Sequence, residues 1–330
     1  MSTLFVLLDG AEDHPIPAFD DRKPLDVAEM PFLDSVVKDR GRTQGSTYTH
    51  RFINQLFTGD LPRTPRGAIE ALGLDLRMSA ERVAYRLSPA YINNGNVEWA
   101  YHVDQRLEMQ IISNVESKIH LLKDMDPDLL FFLKGRAVIS LDCCEIIDMP
   151  CPPMNAPLGK RPEFMWEMIS GIAEELNGLT VMPWGGGRRE AEAPLHPSLG
   201  PLTVVSNSPT ALGISRALGQ KAVKVDSLED RFPLARDLLE VGNVFLHADE
   251  IDEVSHQRDP EMKVRILESV DSMMEEHFHD FDRIVYLVDH GTSSLTGQHL
   301  PVMVPVQSSY ESSMRGEDVP LSALMSKLLG

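Results

Sequence analysis

The run Ile284, Val285, Tyr286, Leu287, Val288 stops abruptly at Asp289 and His290. An apolar run without alternation reads as a strand covered on both faces, the situation of a parallel sheet flanked by helices. In such sheets ligands sit at the carboxyl ends of the strands. Asp289 and His290 therefore emerge where chemistry is usually done, followed by the turn-formers Gly291, Thr292, Ser293 and Ser294 and then by His299. Aspartate and histidine both bind metal ions at neutral pH. Taken alone, the stretch is equally compatible with a strand end and a polar loop.

The same device recurs. The apolar strand Leu4 to Leu8 ends in Asp9 and Gly10, and the strand Asn243 to His247 leads to Asp252 and His256, four residues apart. Between these, strand and helix patterns alternate: a strand at 203–205, a helix at 208–218, a short strand at 223–225, and helices at 228–240 and 262–278. Near the start, 31–38 and 68–72 have helical spacing, separated by a hydroxyl-rich run at 45–50. This rhythm predicts an α/β fold with a mostly parallel sheet. From about residue 78 the texture changes. Asn93, Asn94 and Gly95 mark a hairpin, strands are expected at 129–133 and 137–141, and helices at 106–122 and 164–176. A proline-rich loop, 150–162, and the glycines 185–187 complete a smaller α+β texture. The chain thus divides into a discontinuous α/β domain, 1–77 and 200–330, and an inserted α+β domain, 78–199.

A formal net charge of −19 argues against nucleic acid and anionic membranes as partners. An anionic substrate then needs local arginines or cations to reverse the field. The cysteines Cys143, Cys144 and Cys151 fit no disulfide framework. The opening apolar run is too short for a membrane span and lacks a basic leader, so the expected location is the cytoplasm. A homo-oligomer is compatible with the sequence.

Asp9, Asp252, His256, Asp289, His290 and His299 together offer three carboxylates and three imidazoles at strand ends. That donor set suits two divalent ions such as Zn²⁺ or Mn²⁺. Two ions close together clamp the attacking and leaving oxygens of a phosphoryl transfer.

With these residues in view, the chain resembles the archaeal-type, cofactor-independent phosphoglycerate mutases of the alkaline phosphatase superfamily. The likeness runs from end to end. Leu8, Asp9 and Gly10 look like the family's first metal-ligand strand, and Arg66, Gly67 and 70–73 resemble its "GRGxxEAxG" segment. Residues 183–188 are similar to "WGxGR", and 245–256 to "VFVH…DEAGH". Asp289 and His290, with His299 following, have the family's spacing. The resemblance implies an alkaline-phosphatase-like sheet with an inserted substrate domain. It assigns one ion to Asp252, His256 and His299, and the other to Asp9, Asp289, His290 and a nucleophilic serine. It implies transfer of the phosphoryl group of 3-phosphoglycerate to that serine and back to give 2-phosphoglycerate. Arg66 and Arg188 would bind the substrate.

Several family features differ here. Matched from its left end, the nucleophile motif falls on Gly45, Ser46 and His50, making Ser46 the nucleophile and His50 a substrate ligand. Matched from its right end, it puts His50 where serine belongs and Asn54 where the substrate-binding histidine belongs. Thr47 and Thr49 are further hydroxyls nearby. The family's Arg-His pair is replaced by the stretch 131–134, its "PHD" loop by 149–153, and the lysine after the "VH" strand by Asp249. Two other readings follow from these losses. One is a metal-dependent phosphatase or phosphotransferase for another small phosphorylated metabolite. The other is a non-catalytic paralogue that binds metal.

Overall fold

A computed structural model describes residues 2–330 apart from His102, Cys144, Asp148, Pro150, Pro153 and Met154. The expectations for Cys144 and for parts of the loop 149–153 lie outside the described residues. In chain order the elements are β1 (Leu4–Leu8), α1 (Pro24–Val27), α2 (Pro31–Val36), β2 (Asp39–Gln44), α3 (Thr49–Thr58), α4 (Arg66–Gly73), β3 (Val83–Asn93), β4 (Asn96–Trp99) and α5 (Gln105–Lys118). There follow β5 (Asp128–Leu133), β6 (Arg136–Leu141), β7 (Ala156–Pro157), α6 (Glu163–Glu175), β8 (Leu179–Gly187), β9 (Leu202–Ser206), α7 (Pro209–Ala217), β10 (Lys221–Lys224), α8 (Leu228–Leu238) and β11 (Asn243–Ala248). The chain closes with α9 (Glu250–His256), α10 (Pro260–Phe278), β12 (Ile284–Leu287), the two-residue strands β13 (Gly291–Thr292) and β14 (His299–Leu300), β15 (Met303–Ser308) and α11 (Leu321–Leu329).

These elements form two compact units, residues 1–62 with 192–330, and residues 63–191. In the first, a seven-stranded sheet has the order β10, β9, β11, β1, β12, β15, β2. The five strands from β10 to β12 are parallel, and β15 and β2 add antiparallel pairs at one edge. Central β1 is fully apolar and buried along its length. Leu4, Val6 and Leu8 pack on one face with Phe32, Leu33, Leu267, Val270 and Met274 from the helices. This is the α/β architecture expected from the unbroken apolar runs.

The inserted unit is built on antiparallel pairing. Strands β5, β6, β3, β4 and β7 run in that order, and β8 pairs with β3. Its hairpin turns at Asn94 and Gly95, both at positive φ, the pair of left-handed residues a tight turn needs. It owns a separate core around Tyr85, Ile139, Met168, Val181 and Trp184.

The division falls before α4, at 62/63 instead of the expected 77/78, and at 191/192 instead of 199/200. The reason is packing: Ala68 and Ala71 of α4 cluster with Ala84 and Val138 of the inserted sheet. A Cβ on Gly67 would lie 2.5 Å from the Ala84 carbonyl oxygen, so glycine allows this close approach. Thr64 Oγ1 donates to the Glu190 carbonyl and Arg63 to that of Ala191, so the chain enters and leaves this unit side by side. Among the described residues no helix is long and apolar enough to cross a membrane.

Candidate metal centre

Three adjacent central strands, β11, β1 and β12, end at the same edge of the sheet. Asp9 follows β1, and Asp289 and His290 follow β12. Helix α9, entered from β11, carries Asp252 and His256 one turn apart. His299 returns on β14, which pairs with β13. All six ligands expected from the sequence are thus brought together. Ligand atoms of Asp9, Asp289 and His290 lie within 4.8 Å of one another, as do those of Asp252, His290 and His299. His256 Nε2 joins the second group, 3.1 Å from Asp252 Oδ2 and 3.3 Å from His299 Nε2. Gly10 makes the turn at φ +64°, where a Cβ would lie 2.6 Å from Asp252 Oδ1.

The donor set fits divalent cations. His256 Nδ1 is 2.7 Å from the Gly297 carbonyl, His299 Nδ1 is 2.6 Å from that of Thr47, and His290 Nδ1 is 3.2 Å from that of Gly291. A carbonyl only accepts, so each Nδ1 carries a proton, and each Nε2, once deprotonated, turns a lone pair inward. This orientation of ligating histidines by a backbone carbonyl is a common property of metal sites. The Nε2 atoms of His256 and His299 then face each other, an arrangement that calls for a cation. Asp9 Oδ1 and Asp289 Oδ2 are buried and accept no hydrogen bond. They lie 3.2 and 3.3 Å from His290 Nε2. Buried carboxylate oxygens without donors are costly unless a cation takes up their charge.

The electrostatics agree. Burial pushes Asp289 up to about 7, helped by the neighbouring Asp9 charge. For Asp9, burial is outweighed by the hydrogen bond from His247 and by the neighbouring His290, which hold the carboxyl well below its usual range. Asp252 is likewise driven down, its burial outweighed by His256, His299 and His290. His290 is raised to about 10, since Asp289 and Asp9 overcome its burial. His299 falls to about 3 through burial and the charge of His290. Without metal, a proton on His290 stands in for the missing positive charge.

The hydroxyl at this cluster belongs to Thr49 and not to Ser46. Thr49 Oγ1 lies 3.3 Å from His290 Nε2 and 3.5 Å from Asp9 Oδ2, and the residue is buried. Ser46 Oγ is turned into its own loop, where it donates to the Tyr48 carbonyl at 3.2 Å. The backbone causes this difference. Gly45 N–H donates to the Val302 carbonyl and Ser46 N–H to that of Asp289, which fixes the exit of β2 against the strand end. Two residues later Tyr48 is still extended, and α3 starts at Thr49. Thr49 therefore occupies the positive end of a ten-residue helix, a favourable place for phosphoryl oxygens. His50, expected as a substrate ligand, is buried in the first turn with its ring 5.7 Å from that of Tyr48. Asn54 donates to the Asp60 carbonyl inside α3's own C-terminal loop.

Arg66 and Arg188 lie in the inserted unit. Arg66 Nε donates to Glu70 at 2.8 Å, and its guanidinium sits over the Trp184 ring. Arg188 donates to the carbonyls of Glu81 and Cys143. Asp249 accepts from the fully buried Arg231 and is pushed by burial up to about 7.

Three residues that serve the centre are not singled out as site residues by the sequence. His247 Nε2 is 2.7 Å from Asp9 Oδ2, and its Nδ1 is 3.0 Å from Ser206 Oγ. Its signal was present: His247 pairs with Leu7, so the period of two puts it on the face of Asp9. Thr292 Oγ1 donates to Asp252 at 2.5 Å. Lys263 of α10, fully buried, donates to Asp13 Oδ2 and to the carbonyls of Glu12 and Thr292.

Residues 222–325 match a family model described as the metalloenzyme superfamily. The chain is 24% identical to a 2,3-bisphosphoglycerate-independent phosphoglycerate mutase of Picrophilus torridus, over 96% of this chain and 90% of that protein. Among solved structures, the PH0037 protein from Pyrococcus horikoshii is similar with a TM-score of 0.70 at 18% identity, covering 99% of this chain and 96% of that one. The cofactor-independent phosphoglycerate mutase from Thermoplasma acidophilum is similar with a TM-score of 0.53, also at 18% identity, with both chains covered in full. These structural likenesses show a shared fold.

Proposed function

We propose that this relative of the archaeal-type, cofactor-independent phosphoglycerate mutases is a metal-dependent phosphotransferase that moves the phosphoryl group of a small phosphorylated hydroxy acid through Thr49. The reading is carried by one observation: a buried hydroxyl, Thr49 Oγ1, stands 3.3 Å from His290 Nε2 and 3.5 Å from Asp9 Oδ2. Asp9, Asp289 and His290 would hold one divalent ion, and Asp252, His256 and His299 another, Mn²⁺ or Zn²⁺ by the mixed carboxylate and imidazole donors. Such ions neutralise phosphoryl oxygens and lower the pKa of an adjacent hydroxyl.

In the forward step the Thr49 Oγ1–P bond forms as the ester P–O bond breaks, and the proton lost by Thr49 ends on the leaving oxygen. A second hydroxyl of the same metabolite then takes the phosphoryl group back and restores Thr49. With 3-phosphoglycerate this yields 2-phosphoglycerate. His247 holds Asp9 in place, and the first turn of α3 faces the phosphoryl oxygens. A soluble cytoplasmic setting suits such a metabolite.

A second reading has its own observation. Arg231 is ion-paired with Asp249 and Glu250, so this buried cation is committed within the protein and not to a substrate. This favours a different small phosphorylated metabolite, transferred or hydrolysed at the same centre. An enolase-coupled assay with Mn²⁺ or Zn²⁺ decides. Turnover of 3-phosphoglycerate that disappears in Asp289→Ala supports the mutase. Turnover that survives this change would overturn the mechanism, and hydrolysis of aryl phosphates without mutase turnover favours the second reading.

A further inference from the structure

Strand β5 lies at an edge of the inserted sheet, and among the described residues it pairs with β6 alone. Between Asp128 and Lys134 its sequence is Leu129, Leu130, Phe131, Phe132 and Leu133, and no residue of the strand is buried. Leu130 is 39% exposed and Leu133 36%. Leu129 and Phe131 rest partly on the core of the inserted unit, and Phe132 on the cluster that α4 makes with the sheet. A strand edge presents unpaired N–H and C=O groups, and an exposed apolar one is a template for another strand. The bulge at Phe132 sits beside the turn of Lys134 and Gly135 and leaves Asp128 to Phe131 in regular pairing.

The longer strand edges elsewhere are guarded. On β10, Lys221 and Lys224 are exposed at the two ends. The free side of β2 is bonded by the segment 316–319, with Arg42 paired to Asp318. Strand β7 has two residues, one of them Pro157, and β8 is buried from Leu179 to Trp184. On β5 the stretch 129–133 has no charge, no proline and no cover.

The flanking charges select the partner. Asp124, Asp126 and Asp128 precede the apolar stretch, and Lys134 and Arg136 follow it. Asp126 is taken up by Arg77 and Arg82. Asp128 accepts from Arg77 through Oδ2 alone, which leaves Oδ1 for a second cation. In an antiparallel pair about a two-fold axis, the Asp128 end of each strand meets the Lys134 end of the other, and leucines and phenylalanines face one another between. A parallel copy would set acid on acid. The strand is thus complementary to itself, and an isologous contact of this kind closes at two copies.

We propose that β5 is the contact between two copies of this chain, joined edge to edge as an antiparallel, two-fold dimer. The dimer does not depend on the phosphotransfer reading.

A single strand pair is smaller than a standard interface, so the association should be reversible. Sedimentation velocity of the metal-loaded full chain from about 1 to about 100 µM should show a monomer–dimer equilibrium. Leu130→Lys puts a charge at an exposed position, so it should melt as the parent does while weakening the dimer at least ~tenfold. Lys134→Glu sets like charges at both ends and should also weaken it, less so as salt is added. Lys221→Ala, on the guarded β10 edge, should leave the equilibrium unchanged. Backbone amides of 129–133 should exchange more slowly at the high concentration than at the low one, and this difference should vanish in Leu130→Lys. A chain that stays monomeric, or that assembles beyond two copies, would overturn the proposal. So would a dimer that Leu130→Lys does not weaken, and a dimer unchanged by Lys134→Glu would overturn the antiparallel pairing.

Discussion

Thr49 and Ser46 are three residues apart and carry the same functional group, yet they end in different places. The six candidate metal ligands could be picked out because a carboxylate or imidazole that terminates an apolar strand is a local signal. The identity of the hydroxyl was not. It depends on hydrogen bonds from the 45–47 turn to Val302, Asp289 and His299, all distant in sequence. Thr49→Ala should lower phosphotransfer at least ~10³-fold, in the range seen when catalytic nucleophiles are removed. Thr49→Ser should retain most activity, and Ser46→Ala should change it little. Rapid-quench mass spectrometry should find the phosphoryl group on the peptide containing Thr49. Phosphate found on Ser46 would refute the assignment. The centre also titrates in a defined sense. His290, raised to about 10, is protonated at neutral pH in the metal-free chain, and an entering ion must displace that proton. Metal affinity should therefore rise with pH between 6 and 8 and fall as pH drops, with proton release seen as buffer-dependent heats. Affinity that is flat across this range contradicts the charge arrangement.

The central strands and the long helices matched their patterns closely, whereas β2 and α3 went unread. In β2 the inward positions are Asp39, Gly41 and Thr43, so its alternation carries no hydrophobic signal. In α3 the buried face does include Phe52, Ile53, Leu56 and Phe57, but His50 and Asn54 are buried among them and mask the period. Helix α10 shows what a sequence pattern hides at this scale. It reads as an amphipathic helix packing through Val264, Leu267 and Met274, yet Lys263 is its most consequential residue. This ammonium ties the exit of β1, through Glu12 and Asp13, to the exit of β12, through Thr292. Asp13 Oδ2 is also bonded by Ser294. Lys263→Met leaves the Asp13 carboxylate buried without its cation, which should cost ~3–5 kcal/mol in urea unfolding of the metal-loaded chain. The double variant Lys263→Met with Asp13→Asn should recover part of that loss and yet bind metal more weakly than the parent, because the backbone bonds between the two strand exits lose the lysine that braces them. Recovery of both stability and metal affinity would reduce the lysine to an ordinary core ion pair.

At the scale of the whole molecule, the sequence announced an insertion, but its borders came out too late by α4 at one end and too late by a loop at the other. Helical periodicity in 66–73 states that a helix has an apolar face and not which sheet covers it. The packing of Ala68 and Ala71 on Ala84 and Val138, with Gly67 close against Ala84, assigns α4 to the inserted unit. That unit has its own antiparallel sheet, its own core and adjoining entry and exit points, which are the properties of a domain that folds alone. Residues 63–191 expressed as a separate chain should therefore unfold cooperatively, as followed by circular dichroism with temperature. All six proposed metal ligands lie in the other unit. Because a ligand stabilises only the state that binds it, Mn²⁺ or Zn²⁺ at 100 times its Kd should add ~2.7 kcal/mol to the metal-binding unit of the full chain, and chelation should remove it. The fragment should show neither effect. A fragment that stays unfolded, or one whose melting responds to these ions, would mean that the line drawn at 62/63 and 191/192 cuts through a single cooperative structure.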